Sequence, residues 1–313
     1  MAQRRNCFCS VLVPLYNERE SLGELYRQLT AVLEGAVAGH ELVFVDDGST
    51  DGSVEALRGL RERDRRVKII SFRKNYGKSA ALSEGFRVCR GDVVITIDAD
   101  LQDSPEEIPG LIDKLDEGYD LVSGWKAKRH DPVTKTLPSK LFNVVTSIVS
   151  GIRIHDFNCG LKAYRGDVVK NVSVYGELHR FIPVLAAWEG YRVTEKKVTH
   201  FERKFGRSKF GSKRFLNGLF DLMTVMFITR RSSAPLHFFG RVALVFFGVG
   251  SLITLYFVIL WLMGRGLHVR PLMVGGLVMI VIAIQIGSFG LLAELFTSKV
   301  ERTFTYREYT IDE

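Results

Sequence analysis

Two long uncharged segments near the end of the chain limit most strongly how it can fold. No charged residue occurs from Val242 to Met263 or from Leu272 to Ala293, and each run is 22 residues long. A helix of that length spans the hydrocarbon core of a bilayer, which is about 30 Å thick. Two buried core helices are the alternative, and the adjacency of two such runs disfavours it. We therefore predict transmembrane helices at about 236–263 and 272–296, joined by a short link.

The positive charges around this hairpin predict its orientation. Five lie outside the two runs and two lie in the link: Arg230, Arg231, Arg241, Lys299 and Arg302 against Arg265 and Arg270. Because positive residues are retained on the cytoplasmic side, both ends of the chain are expected there. The sequence predicts a multi-pass protein of the cytoplasmic (inner) membrane, with its large N-terminal part facing the cytoplasm. Residues 234–298 form the membrane unit and 299–313 a cytoplasmic tail.

The segment before the hairpin, "RFLNGLFDLMTVMFITRR", has apolar residues at roughly helical spacing. An amphipathic juxtamembrane helix at 212–233 is one interpretation, and a helix packed on its own domain is the other. The chain up to residue 211 is then a single catalytic or binding domain.

The first 200 residues alternate strand-like and helix-like segments. Four strand-like stretches are each followed by a segment with helical spacing, and a fifth strand comes after them: "FCSVLVP", "ELVFVDDGS", "VKIISF", "DVVITID" and then "YDLVSGW". Such alternation is typical of an α/β domain with a doubly wound, mostly parallel sheet. Ligands of such sheets bind at the carboxyl ends of the strands.

Polar residues collect at four of those strand ends. The residues singled out at these ends, polar except for Pro14 and Ala99, are Pro14, Tyr16 and Glu18 after the first strand, Asp46 and Asp47 after the second, Lys78 after the third, and Asp98, Ala99 and Asp100 after the fourth. One such end could be turn chemistry, since Asp-Gly is a routine turn and Ser104 with Glu107 resembles a capping box. Four in series predict a shared ligand site.

The stretch "DADLQD" predicts a metal site. Asp98 and Asp100 are one residue apart at a strand end, so both can turn toward one ion, with Gln102 as a third oxygen ligand. Hard oxygen ligands suit Mg²⁺ or Mn²⁺, which would bridge the carboxylates to a diphosphate. We expect this cation to balance the crowded acids. No Gly-rich dinucleotide fingerprint and no GKS or GKT motif follows a strand, which disfavours those nucleotide sites.

The net charge and the spacing of the cysteines narrow the kinds of partner and of binding site that the chain can have. The net charge of +8 suits anionic partners such as phosphates or an acidic membrane surface. The four cysteines have no metal-site spacing and are expected to be buried free thiols.

Seven motifs together carry a family resemblance: "VPLYNE", "VDDGSTDGS", "RKNYGKSAAL", "DADLQDSPEEIP", "DFNCGLKAYRGDV", "GELHRFIP" and "HFERKFGRSKF". In this combination the chain resembles the family 2 inverting glycosyltransferases with a GT-A fold. Within them it is most similar to the polyprenyl-phosphate sugar synthases, the group of dolichol-phosphate mannose synthase and the bacterial undecaprenyl-phosphate glucosyltransferases. The likeness covers about residues 9–228, and the two C-terminal spans match the bacterial type.

The resemblance implies roles for individual residues. The nucleotide sugar would contact the strand-end residues named above together with Arg203 and Lys209. Asp98, Asp100 and Gln102 would hold the metal, Asp100, Asp156 and Arg203 would act in catalysis, and Arg129, Lys135 and Ser139 would bind the acceptor phosphate. For Asp156 we favour orientation of the sugar or of basic residues over a role as base. A phosphate monoester is already an anionic nucleophile near neutral pH.

The reaction implied is transfer of a sugar, with UDP-glucose or a similar donor, to undecaprenyl phosphate with inversion. The expected partners are the nucleotide sugar, the lipid phosphate, the membrane and a second copy of the chain, with a lipid-linked-sugar flippase downstream and no nucleic acid. Two alternatives remain: a processive polysaccharide synthase of the same fold, against which stands the lack of a QxxRW motif, and a non-catalytic nucleotide-binding membrane scaffold.

Overall fold

The computed structural model describes residues 5–127, 143–148, 150–176, 178–201, 235–264 and 271–300. The chain divides into two compact units, residues 1–225 and 226–313. The expected juxtamembrane helix at 212–233 and residues 301–313 of the expected tail lie outside the described residues. The domain boundaries given above therefore stay predictions.

The first unit contains a seven-stranded sheet. Its strands are β1 (Arg5–Leu15), β2 (Val37–Asp46), β3 (Val67–Ser71), β4 (Val93–Thr96), β5 (Leu121–Trp125), β6 (Lys162–Arg165) and β7 (Val193–Lys197). Their order is β3-β2-β1-β4-β6-β5-β7. β6 runs antiparallel to β4 and β5, whereas the other neighbours pair in parallel. The predicted mostly parallel sheet is confirmed, and β6 and β7 are additional to the five strands listed above.

Helices cover both faces of this sheet, as expected for a doubly wound fold. They are α1 (Arg19–Ala36), α2 (Ser53–Arg63), α3 (Lys78–Val88), α4 (Ile108–Asp116), α5 (Gly166–Asn171) and α6 (Ile182–Trp188), with 3₁₀ turns at Pro105–Glu107 and Leu178–Arg180. The apolar side chains of α1, α2 and α4 belong to one core cluster. Those of α3, α5 and α6 belong to the other. The short loops between these helices and the strands fix where the polar strand-end residues lie.

Hydrophobic periodicity explains why these helices form where they do. In α1, Leu22, Leu25, Leu29 and Leu33 recur at helical spacing and are fully buried. Burying one such side chain contributes roughly 1.5–3 kcal/mol. The sheet is therefore a rigid support for the loops at its edges. All four cysteines are free thiols, as predicted, and Cys9, Cys89 and Cys159 are buried, whereas Cys7 is only partly buried.

The described part of the second unit contains two long helices, Pro235–Leu262 and Pro271–Val300. Within them, Leu236–Leu262 and Pro271–Leu295 have mean hydropathies of 2.4 and 2.3 and are long and apolar enough to cross a membrane. The helices pack closely, because a Cβ on Gly250 would lie 2.7 Å from the carbonyl oxygen of Gly276. Glu294 Oε2 accepts a hydrogen bond from the backbone N–H of Leu236 at 3.1 Å. The two predicted apolar helices are confirmed.

Candidate active site

The carboxyl ends of β1, β2 and β4 lie side by side because these strands are neighbours in the sheet. β1 pairs with β2 up to Leu15 and Asp46, and with β4 up to Leu12 and Thr96. The segments that follow these strands therefore emerge at one edge. We call it the carboxyl edge, and it brings together the strand-end residues that the sequence singled out.

The first two segments at this edge are tied to each other. The backbone N–H of Asn17 donates to Ser49 Oγ at 2.8 Å, and the N–H of Thr50 donates back to Asn17 Oδ1 at 2.8 Å. Asn17 has a φ of 55°, a left-handed conformation that asparagine tolerates better than most residues. Of the predicted contacts beside it, Pro14 is buried and both Tyr16 and Glu18 are half-buried.

Asp46 and Asp47 use their carboxylates to hold the loops. Asp46 is fully buried and accepts hydrogen bonds from the N–H of Ser49 at 3.2 Å and from Ser71 Oγ at 3.1 Å. Asp47 accepts from the N–H groups of Tyr76 and Gly77 at 2.6 and 2.9 Å. Burial raises the pKa of Asp47 although these two hydrogen bonds oppose it. The structure places both acids at the edge, and their contact with a nucleotide stays a prediction.

The segment after β4 carries the predicted metal ligands. Asp98 Oδ1 forms an ion pair with Lys78 Nζ, and Ala99 between the two acids is buried. Asp100 Oδ1 accepts from the N–H of Gln102 at 3.2 Å. Leu101, between these two residues, has a φ of 59°. Such a conformation costs about 1–3 kcal/mol for a residue with a side chain and is concentrated at functional sites.

A second loop presses against Asp98 from the side of β6. A Cβ built on Gly160 would lie 2.5 Å from the Asp98 carboxyl carbon, so only glycine allows this approach. The buried Lys162 donates to the carbonyl oxygens of Cys159 and, at 3.4 Å, of Phe157, and burial lowers its pKa. Lys162 thus stabilises the loop that holds Gly160. The sequence interpretation missed Lys162, whose only signal was its place in the "DFNCGLKAYRGDV" motif.

Asp156 begins the same loop, and only 1% of its surface is exposed. Its Oδ1 accepts from the N–H of Asn158 at 3.1 Å, and its backbone carbonyl accepts from Ser123 Oγ at 3.4 Å. This burial agrees with a residue that orients its neighbours, the role that we favoured. Its part in catalysis stays a prediction.

Asp103, next to Gln102, has a partner that the sequence did not suggest. Its Oδ1 lies 2.7 Å from Lys126 Nζ and 3.6 Å from His200 Nδ1. Burial would raise the pKa of Asp103, but the Lys126 ammonium and His200 lower it to about 2. Lys126 is therefore a buried counterion and not a free member of a basic surface stretch. Lys78 likewise pairs with Asp98, so lysines supply part of the positive charge that we expected from a divalent cation alone.

The predicted capping box after this segment was also wrong. Ser104 makes no side-chain hydrogen bond at the helix start. Glu107 instead pairs with Lys196 Nζ at 3.0 Å and accepts from the N–H and hydroxyl of Thr199 at 3.1 and 2.8 Å. These stronger tertiary partners take the carboxylate away from the local cap.

Five of the residues singled out by sequence lie outside the described residues: Arg129, Lys135, Ser139, Arg203 and Lys209. Their roles in binding the acceptor phosphate and the leaving diphosphate stay predictions.

Two carboxylates and one amide are compatible with a magnesium-type ion. Within the described part of the chain, no group of three His, Cys, Asp or Glu residues is placed to hold a metal. Mg²⁺ and Mn²⁺ sites in nucleotide-binding enzymes commonly use one or two carboxylates and complete their coordination with substrate phosphates. Asp98 and Asp100 meet that requirement at a partly exposed position, since 31% of the Asp98 side chain is accessible.

Known protein structures share this architecture. A glucosyl-3-phosphoglycerate synthase from Mycobacterium tuberculosis, solved with Mn²⁺, UDP-glucose and phosphoglyceric acid, superposes with a TM-score of 0.55 at 17% identity, over 70% of this chain and 80% of that one. A mannosyltransferase from Pyrobaculum calidifontis, solved with GDP-mannose and Mn²⁺, gives a TM-score of 0.52 at 17% identity, over 96% and 77%. At such identities the likeness establishes the fold, a GT-A-like mixed sheet.

Sequence relatives are closer. A dodecaprenyl-phosphate galacturonate synthase from Rhizobium johnstonii is 34% identical over 308 residues, 96% of this chain and 89% of that protein. An undecaprenyl-phosphate 4-deoxy-4-formamido-L-arabinose transferase from Pseudomonas fluorescens is 39% identical over 254 residues, 81% and 74% of the two chains. The family model "Glycosyl transferase family 2" matches residues 10–173, which include the metal motif and the loop of Asp156. The chain belongs to glycosyl transferase family 2.

Proposed function

We propose that this glycosyltransferase moves a monosaccharide from a nucleotide sugar to the phosphate of a polyprenyl phosphate, with inversion at the sugar carbon. The observation that carries the proposal is the carboxyl edge, where Asp98 and Asp100 follow β4 beside Lys78. Support for a lipid acceptor comes from the relatives, whose names state polyprenyl-phosphate substrates, and from the two apolar helices. We propose that these helices span the membrane and that the first unit faces the cytoplasm.

The donor is proposed to bind across the ends of β1, β2 and β4. Its base and ribose would lie against Tyr16, Glu18 and Asp46, and its diphosphate near Lys78. Asp98, Asp100 and Gln102 would hold Mg²⁺ or Mn²⁺, which when bound supplies positive charge to the diphosphate. Arg203 and Lys209 would add cations to the leaving group.

The chemical step needs little from a general base. The second pKa of a phosphate monoester is about 6, so an oxygen of the lipid phosphate is already anionic. That oxygen forms the new bond to the anomeric carbon on one face, while the bond to the nucleoside diphosphate breaks on the other. Positioning and charge stabilisation are then the main contributions of the protein. Arg129, Lys135 and Ser139 are the proposed acceptor contacts.

The identity of the transferred sugar is a separate question from the type of reaction. The sequence suggested UDP-glucose or a similar donor, whereas the relatives are named for galacturonate and for 4-deoxy-4-formamido-L-arabinose. We therefore propose a UDP-linked uronic acid or modified pentose, with UDP-glucose as the comparison.

The test is a donor panel. Membranes that contain the full chain are incubated with undecaprenyl phosphate, Mg²⁺ or Mn²⁺, and radiolabelled UDP-galacturonate, UDP-4-deoxy-4-formamido-L-arabinose, UDP-glucose and GDP-mannose. We expect label in the lipid extract with one UDP-sugar, and none without added metal. Label in a polymer would favour a polysaccharide synthase. No transfer from any donor, despite nucleotide binding, would favour the non-catalytic scaffold and overturn the proposal.

A further inference from the structure

Three chain segments meet at one buried ion cluster next to the metal motif. We call it the Asp103 junction and define it as Asp103, Lys126 and His200. The side chains of Asp103, Lys126 and His200 are 0%, 13% and 4% exposed. They come from the segment after β4, the end of β5 and the segment after β7. A single carboxylate thus joins three strand ends that lie far apart in sequence.

The junction is reinforced by the backbone. Asp103 and His200 form an isolated antiparallel β-bridge. The N–H of Phe201 donates to the carbonyl oxygen of Gln102 at 2.8 Å. Gln102 Nε2 lies 3.5 Å from the carbonyl oxygen of Phe201. The segment that holds the proposed ligands Asp100 and Gln102 is therefore fixed to the segment after β7.

The three segments lead to different parts of the proposed reaction. Gln102 directly precedes Asp103 and is a proposed metal ligand. Lys126 directly precedes the stretch with the proposed acceptor contacts, 129–139. His200 directly precedes the basic stretch with Arg203 and Lys209. In sequence, the junction residues therefore lie close to the proposed donor, acceptor and leaving-group contacts.

A buried ion pair is a poor way to gain stability. Removing both charges from water costs several kcal/mol per ion, and apolar residues of similar volume are often as stable. What a buried pair can supply is a unique arrangement of the segments that it joins. This distinction separates a positioning role from a purely structural one.

We propose that Asp103, Lys126 and His200 are positioning residues, which fix the segment with the proposed metal ligands Asp100 and Gln102 to the segments that follow β5 and β7. The inference rests on the proposed function, since it assigns the junction a task in sugar transfer. Loss of the Asp103 carboxylate loosens the bridge to His200 and the adjoining hydrogen bond from Phe201 to Gln102. The proposed metal ligands Asp100 and Gln102 are then displaced. Catalysis is sensitive to such displacements, because the loss of a residue that orients a metal ligand typically lowers metal affinity or activity 10- to 100-fold.

The chain offers a matched control at the opposite edge of the sheet. Glu41 is also buried, lies 2.5 Å from Lys68 and accepts from Ser10 Oγ at 2.6 Å. It is remote from the metal motif, so Glu41→Gln removes a comparable buried carboxylate without touching the junction. A stability effect alone would be shared by both variants.

The experiment uses the full chain in detergent and compares Asp103→Asn, Lys126→Met, Lys126→Arg and Glu41→Gln with wild type. Hydrogen–deuterium exchange needs no substrate. We expect exchange of residues 98–103 and 199–201 to be about tenfold faster in Asp103→Asn and Lys126→Met. Lys126→Arg should restore much of the protection, and Glu41→Gln should leave these residues within twofold of wild type.

The kinetic arm uses the donor that the panel identifies. In Asp103→Asn we expect kcat to fall about 10- to 100-fold, with a smaller change in KM for the donor and with Glu41→Gln near wild type. Unchanged exchange at 199–201, equal acceleration in Glu41→Gln, or full turnover in Asp103→Asn would each overturn the inference while the proposed function stands. If wild type transfers no sugar, the proposed function fails, and the exchange arm still decides whether the junction fixes these segments.

Discussion

Buried acids lie both at the carboxyl edge and at the opposite edge of the sheet, which we call the amino edge, but the two sets differ in their partners and in their pKa shifts. At the amino edge, Glu41 accepts from Ser10 Oγ and from the N–H of Arg90 at 2.9 Å and pairs with Lys68. Burial would raise the pKa of Glu41, but these partners lower it below its ordinary value. At the carboxyl edge, burial raises the pKa of Asp47 despite two hydrogen bonds.

The two edges also differ in backbone conformation. The two non-glycine residues with positive φ in the described part of the chain, Asn17 and Leu101, both lie in carboxyl-edge segments. The amino edge stabilises its charge within the fold. The carboxyl edge holds several acids in short, strained segments, which is what a site prepared for a charged ligand requires. Each prediction below changes a residue at the carboxyl edge and compares it with a change elsewhere in the first unit.

The largest effect is expected from the metal motif. The double change Asp98→Ala with Asp100→Ala removes both carboxylates proposed to hold the cation. Transfer should fall by about 1000-fold or more, as when a principal electrostatic stabiliser is lost. Lipid-linked sugar is measured after extraction, and Glu41→Gln should stay near wild type. Full turnover in the double variant would refute a metal-assisted reaction.

The addition of a single methyl group at Gly160 should have an intermediate effect, on the affinity for the metal ion. Gly160→Ala places a Cβ where the Asp98 carboxylate now lies, 2.5 Å from its carbon. The displaced ligand should weaken metal affinity by about 10- to 100-fold, measured as the Mn²⁺ concentration for half-maximal transfer. Gly59→Ala in α2, with nothing within 4 Å of the added Cβ, is the control. It should keep full activity and stabilise the helix by about 0.5–1 kcal/mol. Equal metal dependence in the two variants would contradict the role of Gly160.

The pH dependence of stability should differ in sign between Glu41 and Asp47. The pKa of Glu41 is lowered on folding, so its stabilisation is present above about pH 4.5 and is lost as pH falls through the folded pKa. The pKa of Asp47 is raised, so its contribution is present below about pH 3.8 and is lost as pH rises through the folded pKa.

Melting temperatures of the metal-free chain from pH 3.5 to 6 check this difference. The deficit of Glu41→Gln relative to wild type should grow with pH, whereas that of Asp47→Asn should shrink. If the two deficits changed with pH in the same direction, the pKa values of Glu41 and Asp47 would not be shifted in opposite directions on folding. These shifts should be the smallest effects, a few degrees for a change of about 1 kcal/mol.

Local patterns in the sequence were sufficient for the strand ends but not for the contacts between them. Runs such as Val93–Thr96 identify buried strands, and the acids after them follow from chain order. β6 was missed because it has only four residues and begins with the buried Lys162. The partners of Glu107 and Asp103 lie on strands and loops about 90 residues away, except for Lys126. No local rule can foresee them, since they depend on the order of strands in the sheet.

The central claim is that the carboxyl edge binds a divalent cation through Asp98 and Asp100. Electron paramagnetic resonance of Mn²⁺ with the full chain in detergent, with and without UDP, tests it directly. We expect wild type and Glu41→Gln to bind one Mn²⁺ per chain, more tightly with UDP, and the double variant Asp98→Ala with Asp100→Ala to lose this binding. Equal Mn²⁺ binding by the double variant and wild type would contradict the account.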